Sequence, residues 1–412
     1  MPRELTPFLD PSTTAVVALE VQENLLLPET AITRHEDVHA IGADTKTFIN
    51  SGPHLRLYSH ASIERQRMNR QRRNDLRGWD PVEPPDMVFM DDPRHASFRR
   101  LVSREFTPAR CRTMVDALAG HARRFVQEFA DAIDAGRTVD LVEDFAVKLP
   151  LATICEMMGS PADDWTLIHQ FTESLFLPDS TKWALPGESH EDMRQRLRDE
   201  HFAYFENIIA DRRANPRDDL SSKLVHGDID GAPLTQQQLH GYFTLLFGAG
   251  NETTRNATTR GIMALLENPD QLDAMRRAGD AGVEPAVEEI LRWTSPVLHF
   301  ARMATRDIVI RDVTVRAGDT VVVWYPSANR DEHAFRDPYR FDVARQPNNH
   351  LAFGHGSHFC LGASVARYEL RAIFTELIRT GVIDRIEIVG EPEWMADVHV
   401  GAIMHLPVRA RA

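Results

Sequence analysis

The residues of this chain best suited to chemistry lie in one short stretch, 353–362, which reads Phe-Gly-His-Gly-Ser-His-Phe-Cys-Leu-Gly. Its three glycines permit a tight loop that approaches a flat partner closely. A helical pattern begins just after it, and a helix N-terminus favours the thiolate of Cys360, the form that binds metals. The stretch therefore predicts a metal-ligating loop. The alternative is that Cys360 is a small buried hydrophobic residue in a turn, as free cysteines usually are.

The spacing of this loop resembles the haem-binding motif of the cytochrome P450 family, Phe-x-x-Gly-x-His/Arg-x-Cys-x-Gly. The residues that carry the resemblance are Phe353, Gly356, His358, Cys360 and Gly362. It implies that Cys360 is the axial thiolate ligand of the iron of haem b, that His358 meets a haem propionate, and that Phe353, Gly354 and Gly362 line the haem. Thiolate ligation favours O–O cleavage, so the implied chemistry is oxygen activation.

A second informative stretch, 247–254, reads Phe-Gly-Ala-Gly-Asn-Glu-Thr-Thr in the middle of a long apolar helix. Glycines weaken a helix and threonine can divert main-chain hydrogen bonds, so we expect the helix to be distorted here. A helix that ends at Gly250 and restarts is the alternative. The stretch resembles the family's Ala-Gly-x-Asp/Glu-Thr motif. That resemblance implies that Ala249 and Gly250 face the haem, that Thr253 holds dioxygen, and that Glu252 relays protons.

Three further basic residues could contact the haem. His95 and Arg99 are four residues apart on a helix that begins near Asp92, and hence share a face. Alone they predict a solvated basic surface, but the family's His-x-x-x-Arg helix pairs such residues with haem propionates. Arg302 lies where many bacterial members place a third propionate partner, and a surface arginine is the alternative.

Glu289 and Arg292, three residues apart, match the family's Glu-x-x-Arg pair. The resemblance assigns Arg340 as the third member of this buried ion cluster. These residues are expected to hold the cysteine loop rather than to take part in catalysis.

The resemblance also indicates a substrate pocket beside the haem. Its candidate residues are Leu246, Ala249, Val297, Leu298, His299 and Val400. Each could equally be a core residue. Small-molecule sites are mainly apolar, and we expect the same here. The run 249–257 is similar to that of bacterial members that oxidise steroids, sterol side chains or terpenoids.

Composition excludes several classes of protein. A net charge of −14 and a pI near 5.7 argue against a nucleic-acid binder. The three cysteines, Cys111, Cys155 and Cys360, form no C-x-x-C pair, so a disulfide scaffold or a zinc site is not expected. No uncharged apolar run approaches the roughly 18 residues that a membrane span needs. We therefore expect a cytoplasmic protein of the soluble bacterial type, without a membrane anchor.

The pattern of elements predicts a mainly α fold with small β-sheets (α+β). By resemblance this is the cytochrome P450 fold, a triangular helical prism that holds haem between a long central helix and the cysteine loop. We expect one domain over 1–412, with an atypical segment at 1–30. The predicted amphipathic helices are 114–134, 145–158, 163–175, 191–214 and 235–267.

Four other segments carry predictions. Residues 16–27 read as a helix, and 30–38 as a short strand that leads into a helix. The arginine-rich segment 55–80 should be mostly loop. Residues 307–315 and 319–324 should pair as a small antiparallel sheet, because they are rich in β-branched residues and flank Ala317-Gly318.

The resemblance implies a haem-thiolate monooxygenase that hydroxylates an apolar small molecule, such as a steroid, a terpenoid or a lipid, with O₂. No Rossmann glycine fingerprint is present, so electrons should come from a ferredoxin and its ferredoxin reductase. Arginines between His95 and Arg110 are a plausible dock for an acidic ferredoxin. A peroxide-using peroxygenase is one alternative, against which the pair Glu252-Thr253 counts. A non-catalytic haem- or ligand-binding protein is the other.

Overall fold

The structure is a computed structural model that describes residues 16–18, 30–52, 54–57, 60–176, 180–395 and 399–411. Helices dominate it. They are α1 His35–Ala43, α2 His60–Arg77, α3 Arg94–Ser103, α4 Pro108–Arg112, α5 Val115–Asp134, α6 Lys148–Met158, α7 Trp165–Phe176, α8 His190–Ala214, α9 Leu220–Val225, α10 Gln236–Glu267, α11 Pro269–Ala278, α12 Asp280–Thr294, α13 Tyr325–Ala328 and α14 Ala363–Thr380. Within these ranges, no helix combines the length and the apolar character that crossing a membrane would require.

The strands are short. They are β1 Val16–Ala18, β2 Thr30–Ile32, β3 Phe48–Ile49, β4 Val139–Asp140, β5 Asp228–Ile229, β6 Ala232–Pro233, β7 His299–Ala304, β8 Ile308–Ile310, β9 Val313–Val315, β10 Thr320–Trp324, β11 Ile386–Ile388, β12 Glu393–Trp394, β13 Ile403–His405 and β14 Pro407–Ala410. The largest sheet has the order β1-β2-β10-β7-β3. The predicted α+β class, helical with small sheets, is confirmed.

The start of the long central helix α10 is fixed by hydrogen bonds at its N-terminus. Thr235 accepts a hydrogen bond from the main chain of Gln238, whose side chain bonds back to Thr235, which forms a capping box. Helix α10 then runs for 32 residues and packs against α6, α7, α12 and α14, so most of its circumference is buried. It is continuous through Gly248 and Gly250, so the alternative that it ends at Gly250 is wrong.

The five amphipathic helices predicted from the sequence correspond to α5, α6, α7, α8 and α10, with ends that differ by three residues or fewer. The largest difference is at the start of α6, where residues 141–146 form a π-helical turn ahead of Lys148. The strand and helix predicted at 30–38 are β2 and the start of α1.

Two strand predictions were wrong in detail. Residues 307–315 do not form one strand but a hairpin, β8 and β9, which turns at Arg311 with φ +56°. Strand β10 pairs instead with β2 (parallel) and β7 (antiparallel). All five β10 residues are buried, as expected for a central strand covered on both faces.

The helix predicted at 16–27 is not observed at its start, because Val16–Ala18 is strand β1, paired antiparallel with β2. Two β-branched valines suit this position at the edge of the sheet. Residues 19–27 lie outside the described part of the chain.

The loop predicted over much of 55–80 was also wrong, because α2 spans His60–Arg77. Its arginines and glutamines are good helix formers, and it contains neither glycine nor proline. Gln71 donates a hydrogen bond to Asp75 one turn later, at 2.8 Å. The helix lacks an apolar stripe, which is the signal on which the sequence prediction depended.

A buried ion cluster joins α12 to the segment that precedes the cysteine loop. Both oxygens of Glu289 accept hydrogen bonds from Arg292 at 2.7 Å, and both side chains are fully buried. The third member is Arg345, whose Nε lies 3.1 and 3.2 Å from the two oxygens. The prediction of Arg340 was wrong: its side chain is exposed, and only its carbonyl joins the cluster, as an acceptor from Arg292 and Arg345.

The neighbouring Glu288 fixes both flanks of the cysteine loop. Its carboxylate binds Arg367 of α14 at 2.7 and 2.9 Å, and His350 at 3.2 Å. Burial opposes the charged form, but His350 and Arg367 outweigh it and hold the pKa of Glu288 at about 2. Sequence reasoning missed this residue.

Glu369 of α14 is buried against α6 and α10. Burial raises the pKa of its carboxyl to about 7, although the hydroxyls of Thr153 and Thr254 act in the opposite direction. Glu369 therefore stays protonated in the folded protein over a pH range in which the unfolded chain has lost that proton.

The two arginine assignments can be separated by mutation. Arg345→Gln should lower the free energy of unfolding by about 3–5 kcal/mol, because Glu289 then keeps one buried partner fewer. Arg340→Gln should change it by less than about 0.5 kcal/mol, because that side chain is in solvent. Urea unfolding measures both, and equal losses would contradict the assignment of Arg345.

Glu369 also predicts a pH dependence of stability. The folded pKa of about 7 lies above the ordinary value of 4.5, so the folded state binds more protons between these values and stability falls as pH rises through them. Relative to wild type, Glu369→Gln should gain stability with rising pH, by up to about 3 kcal/mol above pH 7. Urea unfolding from about pH 5 to about pH 8 tests this. The exposed Glu391→Gln is the control, and parallel curves would exclude the effect.

Candidate functional site

The loop before α14 has a backbone that only glycine accommodates easily. Gly354 and Gly356 have φ of +70° and +80°. A Cβ on Gly356 would lie 1.8 Å from the carbonyl oxygen of Gly42 in α1, so the loop packs directly on that helix. The main-chain N–H of Cys360 donates to the carbonyl of Phe353 at 2.9 Å, which closes the loop.

The Cys360 side chain is exposed, yet protein atoms surround it closely enough that desolvation raises the pKa of the thiol. The main-chain N–H groups of Gly362 and Ala363 and the guanidinium groups of Arg99 and Arg367 act in the opposite direction, lowering the pKa and favouring the thiolate. A sulfur that faces such donors is suited to act as a metal ligand.

The predicted propionate partners come together beside this loop. The rings of His95 and His358 stack at 3.9 Å. Arg99 donates to the carbonyl of Phe359 at 2.6 Å, and the buried Arg302 donates to the carbonyl of Ala301 at 2.8 Å. Burial, and then His95, Arg302 and Arg99, lower the pKa of His358 to about 2.

The cluster of His95, Arg99, Arg302 and His358 has fewer carboxylate partners than basic side chains. In the described residues, the one carboxylate within 4 Å of His95, Arg99, Arg302 or His358 is that of Asp92, 3.4 Å from His95 Nδ1. Two arginines and two histidines beside a thiol fit a ligand with two carboxylates and a metal that accepts sulfur. Haem b has both features, so the residues present fit it.

The middle of α10 presents the predicted second motif. Ala249 is exposed and Gly250 half-buried, although most of the helix around them is buried. The Thr253 hydroxyl donates to the carbonyl of Ala249 at 3.1 Å. Because that bond uses its proton, its lone pairs remain free to accept a hydrogen bond.

Glu252 is 1 % exposed, and its Oε2 lies 2.5 Å from Nη2 of Arg255. The two ions are in contact, but the angles do not satisfy a hydrogen bond, and neither carboxylate oxygen has a hydrogen-bond partner in the described structure. Burial raises the pKa of Glu252, and Arg255 only partly opposes this. A carboxyl group in this state can carry a proton at higher pH than usual.

A polar cluster that sequence reasoning missed surrounds Glu252. His169 and Glu173 of α7 are close enough to act electrostatically on it. Lys182 binds Glu173 at 3.0 Å and Glu143 at 2.7 Å, and His169 lies 3.6 Å from Glu143. These residues come from separate segments, so no local motif could reveal them.

The predicted substrate residues near β7 also meet. Val297 forms a β-bridge with Val400, and the N–H of Leu298 donates to the carbonyl of His399 at 2.8 Å. His299 is fully buried, and its Nε2 accepts a hydrogen bond from the main chain of Leu57 at 3.0 Å. Leu246 is buried within α10.

A cavity of about 900 Å³ lies between α2, α8 and the N-terminal half of α10. None of the six predicted substrate residues lines it, and Thr244 is the lining residue of α10 nearest to Ala249. The predicted substrate residues therefore do not include the lining of this cavity, which sequence reasoning missed because α2 was predicted as loop.

Comparisons with known proteins agree with this geometry. Residues 54–380 match the family model for cytochrome P450. The methyl-branched lipid omega-hydroxylase of Mycobacterium tuberculosis is 41 % identical over 323 residues, covering 78 % of this chain and 74 % of that protein. The steroid C26-monooxygenase of Mycolicibacterium smegmatis is 33 % identical over 355 residues, covering 82 % and 80 %.

Among solved structures, a Mycobacterium marinum cytochrome P450 in complex with pseudoionone superposes with a TM-score of 0.83 at 32 % identity, covering 98 % of this chain and 93 % of that one. The fold, the cysteine loop and these relatives agree. The chain belongs to the cytochrome P450 family, whose members bind haem b, and is an oxidoreductase of the monooxygenase type.

Proposed function

We propose that this protein hydroxylates an apolar small molecule beside Ala249 and Thr253 of α10. The observation that carries the proposal is the combination of the Cys360 sulfur with the unbalanced basic cluster of His95, Arg99, Arg302 and His358. Cys360 would ligate the haem iron and the basic cluster would bind the propionates. Haem, when bound, supplies the activation of dioxygen.

The substrate class that we favour is a lipid, a steroid or a terpenoid. Two relatives are named for the hydroxylation of methyl-branched lipids and for steroid oxidation. The residues Val297, Leu298 and Val400, together with Leu246, would supply an apolar wall to such a molecule, in keeping with small-molecule sites in general.

Proton supply would be the task of α10. Thr253 would accept a hydrogen bond in the active site, since its own proton is held by the Ala249 carbonyl. Glu252 would carry the proton, because burial raises its pKa. The cluster of His169, Glu143 and Lys182 offers a polar route from Glu252 toward solvent, where Lys182 is about one-third exposed.

Electrons would arrive from a ferredoxin, itself reduced by a ferredoxin reductase, at the surface of α3 and α4. Arg100, Arg104 and Arg112 are exposed there, and no carboxylate of the described residues lies within 4 Å of them. Arg99 of the same helix touches the carbonyl of Phe359, next to the metal ligand. A positive surface so close to Cys360 suits an acidic protein that donates electrons. We place the reaction in the cytoplasm.

The first test is the difference spectrum of the dithionite-reduced protein with carbon monoxide. We expect a strongly red-shifted Soret band, as thiolate ligation gives, and its loss in Cys360→Ala. Cys155→Ala, which removes a buried thiol elsewhere, should keep the band. A band at the position of histidine-ligated haem would refute the proposed ligand.

The second test concerns proton delivery. In Thr253→Ala and Glu252→Gln, we expect oxygen consumption to continue while product formation falls about 10- to 100-fold, because general acid catalysis is lost. Thr259→Ala is the matched control, since the Thr259 hydroxyl also donates to the carbonyl four residues earlier, at 3.0 Å. Measuring product formed per oxygen consumed distinguishes the variants, and unchanged coupling would remove these roles.

A further inference from the structure

The arginine-rich segment identified in the sequence becomes one wall of the 900 Å³ cavity. Eight arginines and four carboxylates line this cavity, in a chain whose net charge is −14. The arginines are Arg56, Arg67, Arg70, Arg72, Arg73, Arg77, Arg194 and Arg198. The lining of the cavity thus carries net positive charge although the whole chain carries net negative charge, which indicates an anionic occupant.

Of the four carboxylates that line the cavity, Glu64 lies 3.8 Å from the lining arginine Arg67, and two others have partners outside the set of arginines. Glu173 binds Lys182 and accepts a hydrogen bond from the Trp183 indole at 2.6 Å. Asp86 accepts from the main chain of Val88, and burial raises its pKa to about 6. The four carboxylates therefore do not balance the positive charge of the eight arginines that line the cavity.

Arg73 and Arg77 are the arginines best placed to bind an anion. No carboxylate of the described residues lies within 4 Å of either guanidinium. Arg73 lies 5.7 Å from the Trp79 ring, and Arg77 lies 3.2 Å from the ring of Phe202. Stacking uses the face of a guanidinium and leaves its N–H edge available for a carboxylate.

The positive charges are also crowded. Burial, and then the neighbouring Arg70 and Arg77, lower the pKa of Arg73. Desolvation, and then Arg194 one turn earlier on α8, lower the pKa of Arg198 in the same way. Like charges one turn apart destabilise a helix, and an anion bound between α2 and α8 would relieve this repulsion.

Apolar side chains line the part of the cavity that lies toward the centre of α10. Phe171, Phe205 and Leu175 line it there. Leu175 also touches the main chain of α10 at Gly248, where a Cβ would lie 2.9 Å from it. Along α10, the lining residue Gly241 precedes Ala249 by about 12 Å, at 1.5 Å per residue.

We propose that this cavity binds the anionic head group of an amphipathic substrate between α2 and α8, with the apolar chain extending toward Ala249. Oxidation would then fall on the chain, remote from the head group. This inference rests on the proposed hydroxylase function for the site of oxidation, but the binding of the anion does not depend on turnover. Carboxylate and phosphate head groups share the required chemistry.

Calorimetric titration of the holoenzyme with laurate, dodecyl phosphate and dodecanol tests the proposal. We expect laurate to bind at least about tenfold more tightly than dodecanol, because a charge-assisted pair adds affinity. In the double variant Arg73→Gln, Arg77→Gln, laurate binding should weaken by about 10- to 100-fold while dodecanol binding stays unchanged. Tighter binding of dodecyl phosphate than of laurate would support the site and identify a phosphate head group.

Two further variants serve as controls. Arg277→Gln removes the same charge from an exposed position on α11 outside the cavity, and should leave laurate binding unchanged. Arg73→Lys keeps the charge without the bidentate edge, and should give an intermediate affinity. Equal affinities for laurate and dodecanol, or equal losses of both ligands in the double variant, would overturn the proposal. Laurate binding without oxidation of any compound would refute the hydroxylase and leave the anion site standing.

Discussion

The arrangement around Cys360 depends on the pairing of two adjacent buried or half-buried carboxylates on α12. Glu289 shares its two oxygens between Arg292 and Arg345, and Glu288 holds His350 and Arg367. A buried carboxylate without partners would cost several kcal/mol, so the fold is stable only when these segments meet. The loop that carries the thiol is therefore fixed on both flanks by one helix.

The same requirement, that charges removed from water need partners of opposite sign, applies to the two places where positive charge is not balanced. Around Cys360, two arginines and two histidines have one nearby carboxylate, and the propionates of the family's cofactor fit there. Between α2 and α8, eight arginines and four carboxylates of the described residues line a cavity, and an anionic substrate head group would fit there. In a chain of net charge −14, neither excess of positive charge follows from composition.

Helix α10 connects these two sites. Its length and capping box make it a rigid wall, yet its middle contains Asn251 and Glu252, both buried. Burying a carboxyl group in the middle of the helix costs desolvation free energy. Ionisable residues buried in this way are concentrated at functional sites. His169 and Glu173 of α7 act electrostatically on Glu252 and would support the proton exchange that we propose for it.

How much the sequence revealed depended on how local the signal was. The five long helices were correctly predicted, because each depends on periodicity or capping within one segment. The roles assigned to the cysteine loop and to the Ala-Gly-Asn-Glu-Thr stretch stay predictions that depend on fixed spacing within one segment. The helix α2 was missed because it has no apolar stripe, and 307–315 turned into a hairpin where a single strand was expected.

The sequence by itself thus determined the central helix and the family, since these are carried by residues close together in the chain. Only the tertiary structure decided that Arg345 rather than Arg340 completes the ion cluster, because the path of residues 336–345 determines which guanidinium reaches Glu289. It also decided that arginines of α2 and α8, more than a hundred residues apart, face one cavity. Charges so distant in sequence affect each other only after folding, when packing brings them within the short range of electrostatic interactions in water.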